Sequence, residues 1–230
     1  MKVAIIPARG GSKRIPRKNC RNFNGKPMIA WSIDAALESG VFDHVVVSTD
    51  DEEIASIAQQ YGADVPFWRP DELSGDYVAT RPVVNDAIEK LALLYGSPSE
   101  VCCLYATAPF VRKDDLIDAY SQLMETGADF VFSVAKYAYQ VQRALRINAQ
   151  GFTQMRYPEY ASTRSQDLED SYHDAGQFYW GRTAAFLSNL SALQARSVPY
   201  VMPPGRVQDI DTPEDWEHAE LLFRVLNEHQ

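Results

Sequence analysis

Ile5-Ile6-Pro7-Ala8-Arg9-Gly10-Gly11-Ser12-Lys13-Arg14-Ile15-Pro16-Arg17-Lys18-Asn19 carries an apolar strand, Val3 to Ile6, straight into a glycine-rich turn crowded with cations. A strand that empties into such a turn is the opening of an α/β fold, and successive backbone N–H groups in the turn form a concavity that attracts an anion. Gly10 and Gly11 leave the backbone bare, so a phosphate can approach without meeting a side chain. Arg9, Lys13, Arg14, Arg17 and Lys18 fall within ten residues. Their charges repel one another unless something negative lies among them, and a nucleoside triphosphate meets that need. Glycine for packing and lysine for solubility is the bland alternative; strand, double glycine, serine and clustered cations together argue against it. The turn lacks the third glycine of a dinucleotide fingerprint, and Lys13 is not spaced for a Walker A loop.

Outward from this turn, strand-like runs alternate with helical patterns. Pro27 opens a helix with Ile29, Ile33, Ala36 and Leu37 on one face, closed by Gly40. Val45 to Val47 is a buried strand. Ile54, Ile57, Ala58 and Tyr61 mark a second helix, Val84 to Tyr95 a third, and Leu116 to Met124 a fourth, with Val101 to Tyr105 a strand between the last two. This alternation predicts a Rossmann-like, mostly parallel sheet with helices on both faces. Phe130 to Val134, Phe178 to Trp180 and Val198 to Met202 are later strands, and Thr212 caps a final helix bearing Trp216, Ala219, Leu222, Phe223 and Leu226. The stretch 137–172 has no clean period. Its Arg143 to Ile147 run and Gly151 turn suggest a hairpin arm, and a long irregular segment of this kind is functional or makes an interface. No linker divides the chain, so residues 1–230 form a single domain with 137–172 as an arm within it.

The net charge of −9 excludes a general nucleic-acid binder and makes the basic turn a local exception. No apolar run is long enough to span a bilayer. The chain starts directly in a strand, which leaves no room for a signal peptide. Three cysteines, Cys20, Cys102 and Cys103, without metal spacing fit a reducing cytoplasm. The histidines His44, His173, His218 and His229 are scattered and suggest no zinc site.

The turn Ala8-Arg9-Gly10-Gly11-Ser12-Lys13 with Pro16-Arg17-Lys18-Asn19 resembles the signature loop of the CMP-nonulosonate synthetases, the sialic acid class of cytidylyltransferases. Val47 to Asp51, Arg69 to Ser74 and Asp209-Ile210-Asp211-Thr212 extend the resemblance along almost the whole chain. Arg164 to Leu168 and Tyr172 to Trp180 are closest to its pseudaminic acid branch. The resemblance implies a nucleotide-diphospho-sugar transferase type of fold. It also implies an enzyme that joins CTP to a nine-carbon acidic keto sugar with Mg²⁺ as cofactor, and a homodimer whose arm reaches the neighbouring site and places Arg164 there.

By position in that family, Ala8, Arg9, Gly10, Gly11, Ser12 and Lys13 bind the nucleotide, with Arg9 and Lys13 on its phosphates. Lys18 neutralises the leaving pyrophosphate, Asn19 meets the ribose, Arg69 reads cytosine and Thr80 adds a hydroxyl contact. Arg14 and Arg17 are left as solvated surface charges, and the bland reading of Arg69 is a surface ion pair with Asp71 or Glu72. Asp209 and Asp211, at i and i+2 of an extended stretch, share a face and suit Mg²⁺. The bland alternative is helix capping, and Asp211 is also a candidate proton acceptor. Arg143 and Arg164 suit a sugar carboxylate, and Gln166, Tyr172, His173 and Gln177 supply hydrogen bonds. Tyr105 stands where sialic acid synthetases usually carry glutamine, which implies a differently shaped sugar.

Three other readings stay open: the same reaction on sialic, legionaminic or 3-deoxy-octulosonic acid; a metal-dependent glycosyltransferase; and a non-catalytic nucleotide sensor.

Overall fold

The computed structural model describes residues 1–188 and 190–227; His229 lies outside them. The strands are β1 (Lys2–Pro7), β2 (Asn22–Phe23), β3 (Lys26–Pro27), β4 (His44–Ser48), β5 (Glu100–Leu104), β6 (Phe130–Lys136), β7 (Leu145–Ile147), β8 (Thr153–Met155), β9 (Tyr172–Arg182) and β10 (Ser197–Val201). The helices are α1 (Met28–Ser39), α2 (Glu52–Gln60), α3 (Thr80–Tyr95), α4 (Lys113–Thr126), α5 (Thr183–Leu187) and α6 (Pro213–Asn227). The four helices expected from periodicity in the first half are α1 to α4. Gly40 and Gly127 end α1 and α4 in the left-handed conformation that glycine adopts without steric cost.

Six strands form one sheet in the order β10-β6-β9-β5-β1-β4. β1 pairs in parallel with β4 and β5, and β10 with β6. β9 runs antiparallel between β5 and β6. That reversal positions the site. The carboxyl ends of β1, β4 and β5 share one edge, and the beginning of β9 reaches past the end of β5, where Leu104 pairs with Phe178. Residues 173–177 therefore stand over the same edge as the turn after β1. A register shift between Phe132 and Val134 of β6 leaves Ser133 facing the backbone of β9, where its Oγ accepts from the N–H groups of Gln177 (3.2 Å) and Phe178 (3.1 Å). A bulge of this kind re-aims the strand, and here it turns Gln177 inward.

Alternation of side chains divides the core between the two faces of the sheet. Ala4, Ile6, Val45, Val47, Cys102 and Leu104 pack under α1, α2 and α4. Val3, Ile5, Val46, Val101 and Cys103 pack under α3 and α5. The adjacent cysteines thus point into opposite halves, both buried and free. A third cluster lies outside the sheet: Ile15 of the first turn, Phe23, Phe110, Ile210, and Trp216, Ala219 and Phe223 of α6.

β7 and β8 pair antiparallel, so the expected hairpin forms. Its side chains Leu145, Ile147 and Phe152 are exposed.

Asp115 of α4 and Arg206 form a buried bidentate pair (2.5 and 2.7 Å). Asp115 also accepts from Tyr200 Oη (3.0 Å) and from the backbone N–H of Arg112 (2.8 Å). Removing one partner strands the other's charge inside the protein. Asp115→Ala is expected to lower stability by about 3 kcal/mol, measured by urea unfolding. A loss below about 1 kcal/mol, the range of an exposed pair, would contradict this packing.

Candidate active site

Four of the five cations in the first turn, Arg9, Lys13, Arg14 and Lys18, line a cavity of about 360 Å³ together with Ser12, Asn19 and Asp76. The cations are held by the chain's own carboxylates. Asp76 bridges Arg9 Nη1 (2.5 Å) and Lys13 Nζ. Asp211 accepts from Arg14 Nη1 (2.6 Å) and lies 3.6 Å from Lys18 Nζ. The negative partner that the cluster calls for is thus supplied from within the chain. Asp76 follows the Arg69 to Ser74 stretch, and nothing in its spacing pointed to the turn.

The glycine pair works differently from expectation. The N–H of Gly10 donates to Asp50 Oδ1 (2.9 Å) and is not available to a phosphate. A Cβ on Gly10 would sit 2.5 Å from Asp51 Oδ2, so this glycine makes room for a protein carboxylate. Gly11 has open space around it. Arg17, expected to be a solvated charge, instead grips Asp51 with both Nη atoms (2.5 and 2.8 Å) and also bonds Glu53. Asn19 is buried, and its Nδ2 donates to the carbonyl of Arg9 (3.1 Å), shaping the turn.

Arg69 departs from its bland alternative. It is buried, not paired at the surface with Asp71 or Glu72. Its backbone N–H donates to Thr49 O (2.9 Å), its Nε to Ser48 Oγ (3.3 Å) and its Nη2 to Ser48 O. It rides on irregular chain after α2, not on a strand end, and Nη1 makes no hydrogen bond to the described residues. Ala8, buried beside it, donates its N–H to Ser48 O (2.9 Å). Thr80 opens α3 with Oγ1 3.4 Å from Tyr105 Oη.

A second cavity, of about 510 Å³, is lined by Tyr105, Thr107, Lys136, His173, Asp174, Gln177 and Asp209, among others. His173 Nδ1 lies 2.9 Å from the carbonyl of Asp174, and its ring packs on Tyr137. Gln177 is buried: Nε2 donates to Arg206 O (2.9 Å), and Oε1 has no partner among the described residues. Tyr179 donates to Asp174, and burial raises its phenol above the ordinary tyrosine range. Sequence patterns did not pick out Thr107, Lys136 or Asp174.

Arg143, Arg164, Gln166 and Tyr172 do not line this cavity. Arg143 donates to the carbonyls of Ala161 (3.5 Å) and Thr163 and so fastens the arm to itself. Arg164, Gln166 and Tyr172 are exposed.

The acid pair stands between the two cavities. Ile210 is 2% exposed and packs in the same cluster as Ile15. Its burial turns the flanking carboxylates outward: Asp209 lines the second cavity, while Asp211 reaches Arg14 and Lys18 of the first. Lys18 Nζ also donates to Ile210 O (2.5 Å). Burial pulls the Lys18 ammonium below the ordinary lysine range, and Asp211 and Asp209 offset part of that fall. Capping of α6 belongs to Thr212, whose Oγ1 accepts from Asp215 N (3.2 Å), while Asp215 accepts from Thr212 N (2.8 Å) and Asp211 N (3.1 Å).

A family model described as cytidylyltransferase matches residues 3–202. The chain belongs to that family. It is 46% identical over 226 residues to a pseudaminic acid cytidylyltransferase of Campylobacter jejuni subsp. jejuni serotype O:2, covering 98% of this chain and 97% of that one. It is 34% identical over 233 residues to a CMP-N,N'-diacetyllegionaminic acid synthase of Legionella pneumophila, covering 98% and 97%. In fold it is similar to a solved CMP:2-keto-3-deoxy-manno-octonic acid synthetase complexed with CTP, with a TM-score of 0.71, 18% identity, and coverage of 98% and 99%. The Rossmann-like sheet and the cytidylyltransferase reading of the chain both stand.

Within the cytidylyltransferase, Asp211 at the cation-lined hollow and Asp209 at the neighbouring cavity offer carboxylate oxygens of the kind that Mg²⁺ takes, one or two at a time, alongside phosphates and water. The single cluster of three metal-ligating side chains among the described residues, Cys20, Asp51 and Glu53, lies elsewhere and is filled by Arg17. No helix of the described residues is long and apolar enough to cross a membrane.

Asp76 already pairs with Arg9 and Lys13, so a phosphate taken up by them would have to displace it. Asp76→Asn is therefore expected to tighten tripolyphosphate binding about threefold, in keeping with one partly exposed ion pair. Calorimetric titration at two salt concentrations checks this, since the gain should shrink at high salt. Unchanged or weaker binding would show that Asp76 does not compete.

Proposed function

We propose that this cytidylyltransferase joins CTP to pseudaminic acid, giving the CMP-sugar and pyrophosphate. The observation that carries the reading is the place of Asp209 and Asp211 between a cation-lined cavity and a roomier polar one. The first suits a triphosphate and the second a sugar acid. Identity of 46% to a pseudaminic acid cytidylyltransferase favours that sugar.

In this scheme Arg9, Ser12, Lys13 and the open backbone at Gly11 hold the phosphates, the free Nη1 of Arg69 faces cytosine, and Thr80 lies beside the nucleotide. The anomeric hydroxyl attacks the α-phosphate in line, its proton leaves to the acid pair, and the bond to the bridging oxygen of pyrophosphate breaks. Charge grows on the departing pyrophosphate, so Lys18 and Lys13 contribute more in the transition state than in the ground state. Asp209 and Asp211 are the residues that would hold Mg²⁺, which supplies neutralisation of phosphate charge when bound. Tyr105, His173 and Gln177 shape the sugar side.

The arm is the proposed dimer contact. Leu145, Ile147 and Phe152 expose apolar side chains that a second copy would cover, with Arg164 and Gln166 then offered to the neighbouring site. Exchanging all three for serine is expected to give a monomer by light scattering that loses sugar binding before CTP binding. A monomer with full sugar affinity would contradict the shared site.

Pyrophosphate release from CTP with a panel of pseudaminic, legionaminic, sialic and 3-deoxy-octulosonic acids tests the reaction. The highest kcat/KM is expected with pseudaminic acid, and none with EDTA present. Faster turnover of another acid would change the substrate, and release indifferent to EDTA would remove the metal.

A further inference from the structure

We infer that Arg17 is a positioning residue for Lys18: its guanidinium locks the cationic turn to the start of α2, while its left-handed backbone sends the next side chain the other way, into the triphosphate cavity. The inference rests on the assignment of Lys18 to the phosphates made above.

Arg17 is a non-glycine residue at φ 56°, a conformation that L side chains adopt at a cost and that persists where contacts hold it. The contacts are specific. Nη1 meets Asp51 Oδ2 at 2.5 Å, and Nη2 meets Asp51 Oδ1 at 2.8 Å and also Glu53. Planar two-point pairing of this kind fixes direction as well as distance. Asp51 is itself immobilised, because Oδ1 also accepts from Ile54 N (3.0 Å) as the cap of α2 and the carboxylate lies against the bare face of Gly10. The same clamp therefore touches the turn at Gly10 and at Arg17. From Arg17 the chain reverses: its carbonyl accepts from Cys20 N and Arg21 N (both 2.9 Å), and Lys18 points to Ile210 O and Asp211.

The clamp is separable from the fold of the turn. Ile15 in the α6 cluster, Asn19 on Arg9 O and Asp50 on Gly10 N hold the turn independently. Loss of the fork should leave the chain folded and Lys18 badly aimed. It also leaves Asp51 and Glu53 unneutralised, so the charge effect has to be separated from the geometric one.

The test is calorimetric titration of inorganic pyrophosphate into Arg17→Gly, Arg17→Lys, Lys18→Met and the Arg17→Gly/Lys18→Met double variant, with melting temperature as a check on folding. Glycine keeps the left-handed turn without strain and removes the fork; lysine keeps the charge and removes the two-point geometry. Arg17→Gly is expected to weaken pyrophosphate about fivefold or more, Arg17→Lys nearly as much, and the double variant no more than Lys18→Met alone, since coupled residues are non-additive. Normal pyrophosphate affinity in Arg17→Gly, or full additivity in the double variant, would overturn the inference while leaving the reaction intact. Recovery of wild-type affinity in Arg17→Lys would reduce Arg17 to a charge and overturn the geometric role. Normal affinity in Lys18→Met would instead overturn the assignment of Lys18 on which the inference rests.

Discussion

Asp211→Ala is expected to lower kcat by at least about a hundredfold, because a metal held at the reacting phosphate contributes several kcal/mol of charge stabilisation. The carboxylate sits between Arg14 at 2.6 Å and Lys18 at 3.6 Å, which ties the acid pair to the cation-lined cavity. Its loss removes a proposed metal ligand and also the anchor of two cations. Stability separates this role from helix capping. Thr212 and Asp215 cap α6 between themselves, so the melting temperature should hardly move. Turnover is measured as pyrophosphate release at saturating CTP across a magnesium titration. Unchanged kcat would remove Asp211 from the reaction. A fall in stability matching the fall in activity would return it to a structural role.

Lys18→Met should reduce kcat/KM for CTP by about two orders of magnitude, the usual cost of removing one preorganised electrostatic contact to a developing anion. Lys18 is bonded to Ile210 O at 2.5 Å and set beside Asp211, so its position is fixed before the nucleotide arrives. Its environment adds a pH signature. Burial lowers the ammonium's pKa, so the proton leaves at a lower pH than from a solvated lysine. The charged form is present below that pKa and is lost as pH rises through it. The profile of kcat/KM for CTP, which reports the free enzyme, should show an alkaline fall below the ordinary lysine range. Lys18→Arg should carry that fall to higher pH, because a guanidinium keeps its proton. An alkaline limb identical in both proteins would mean that another group titrates there.

Much of the fold was legible because it depends on local periodicity. Ile29, Ile33 and Ala36, or Val84, Ala87, Ile88 and Leu91, mark one helical face each, and all of them are buried. The antiparallel course of β9 was not legible, because Phe178 to Trp180 is equally apolar in either direction. That course is what carries His173 and Gln177 over the edge where the first turn lies. Short elements such as α5 and the β2-β3 pair fall below the length at which a period can be seen. In the site, the cations could be found by type and spacing. Their partners could not: Asp76 lies 67 residues from Arg9 and Asp211 lies 197 from Arg14, and only folding brings them together. The role of Arg17 is hidden for the same reason, since the carboxylates that grip it belong to a helix start 34 residues away. Ile210 does carry a signal in the sequence, because an apolar residue between two aspartates in an extended stretch implies burial on one side and both acids on the other.

The most direct measurement is a crystal structure with magnesium and a non-hydrolysable CTP analogue. The triphosphate is expected among Arg9, Lys13 and Lys18, with Asp76 withdrawn from Arg9 and magnesium held by Asp209 and Asp211. A nucleotide bound elsewhere, or an acid pair turned away from every phosphate oxygen, would contradict this.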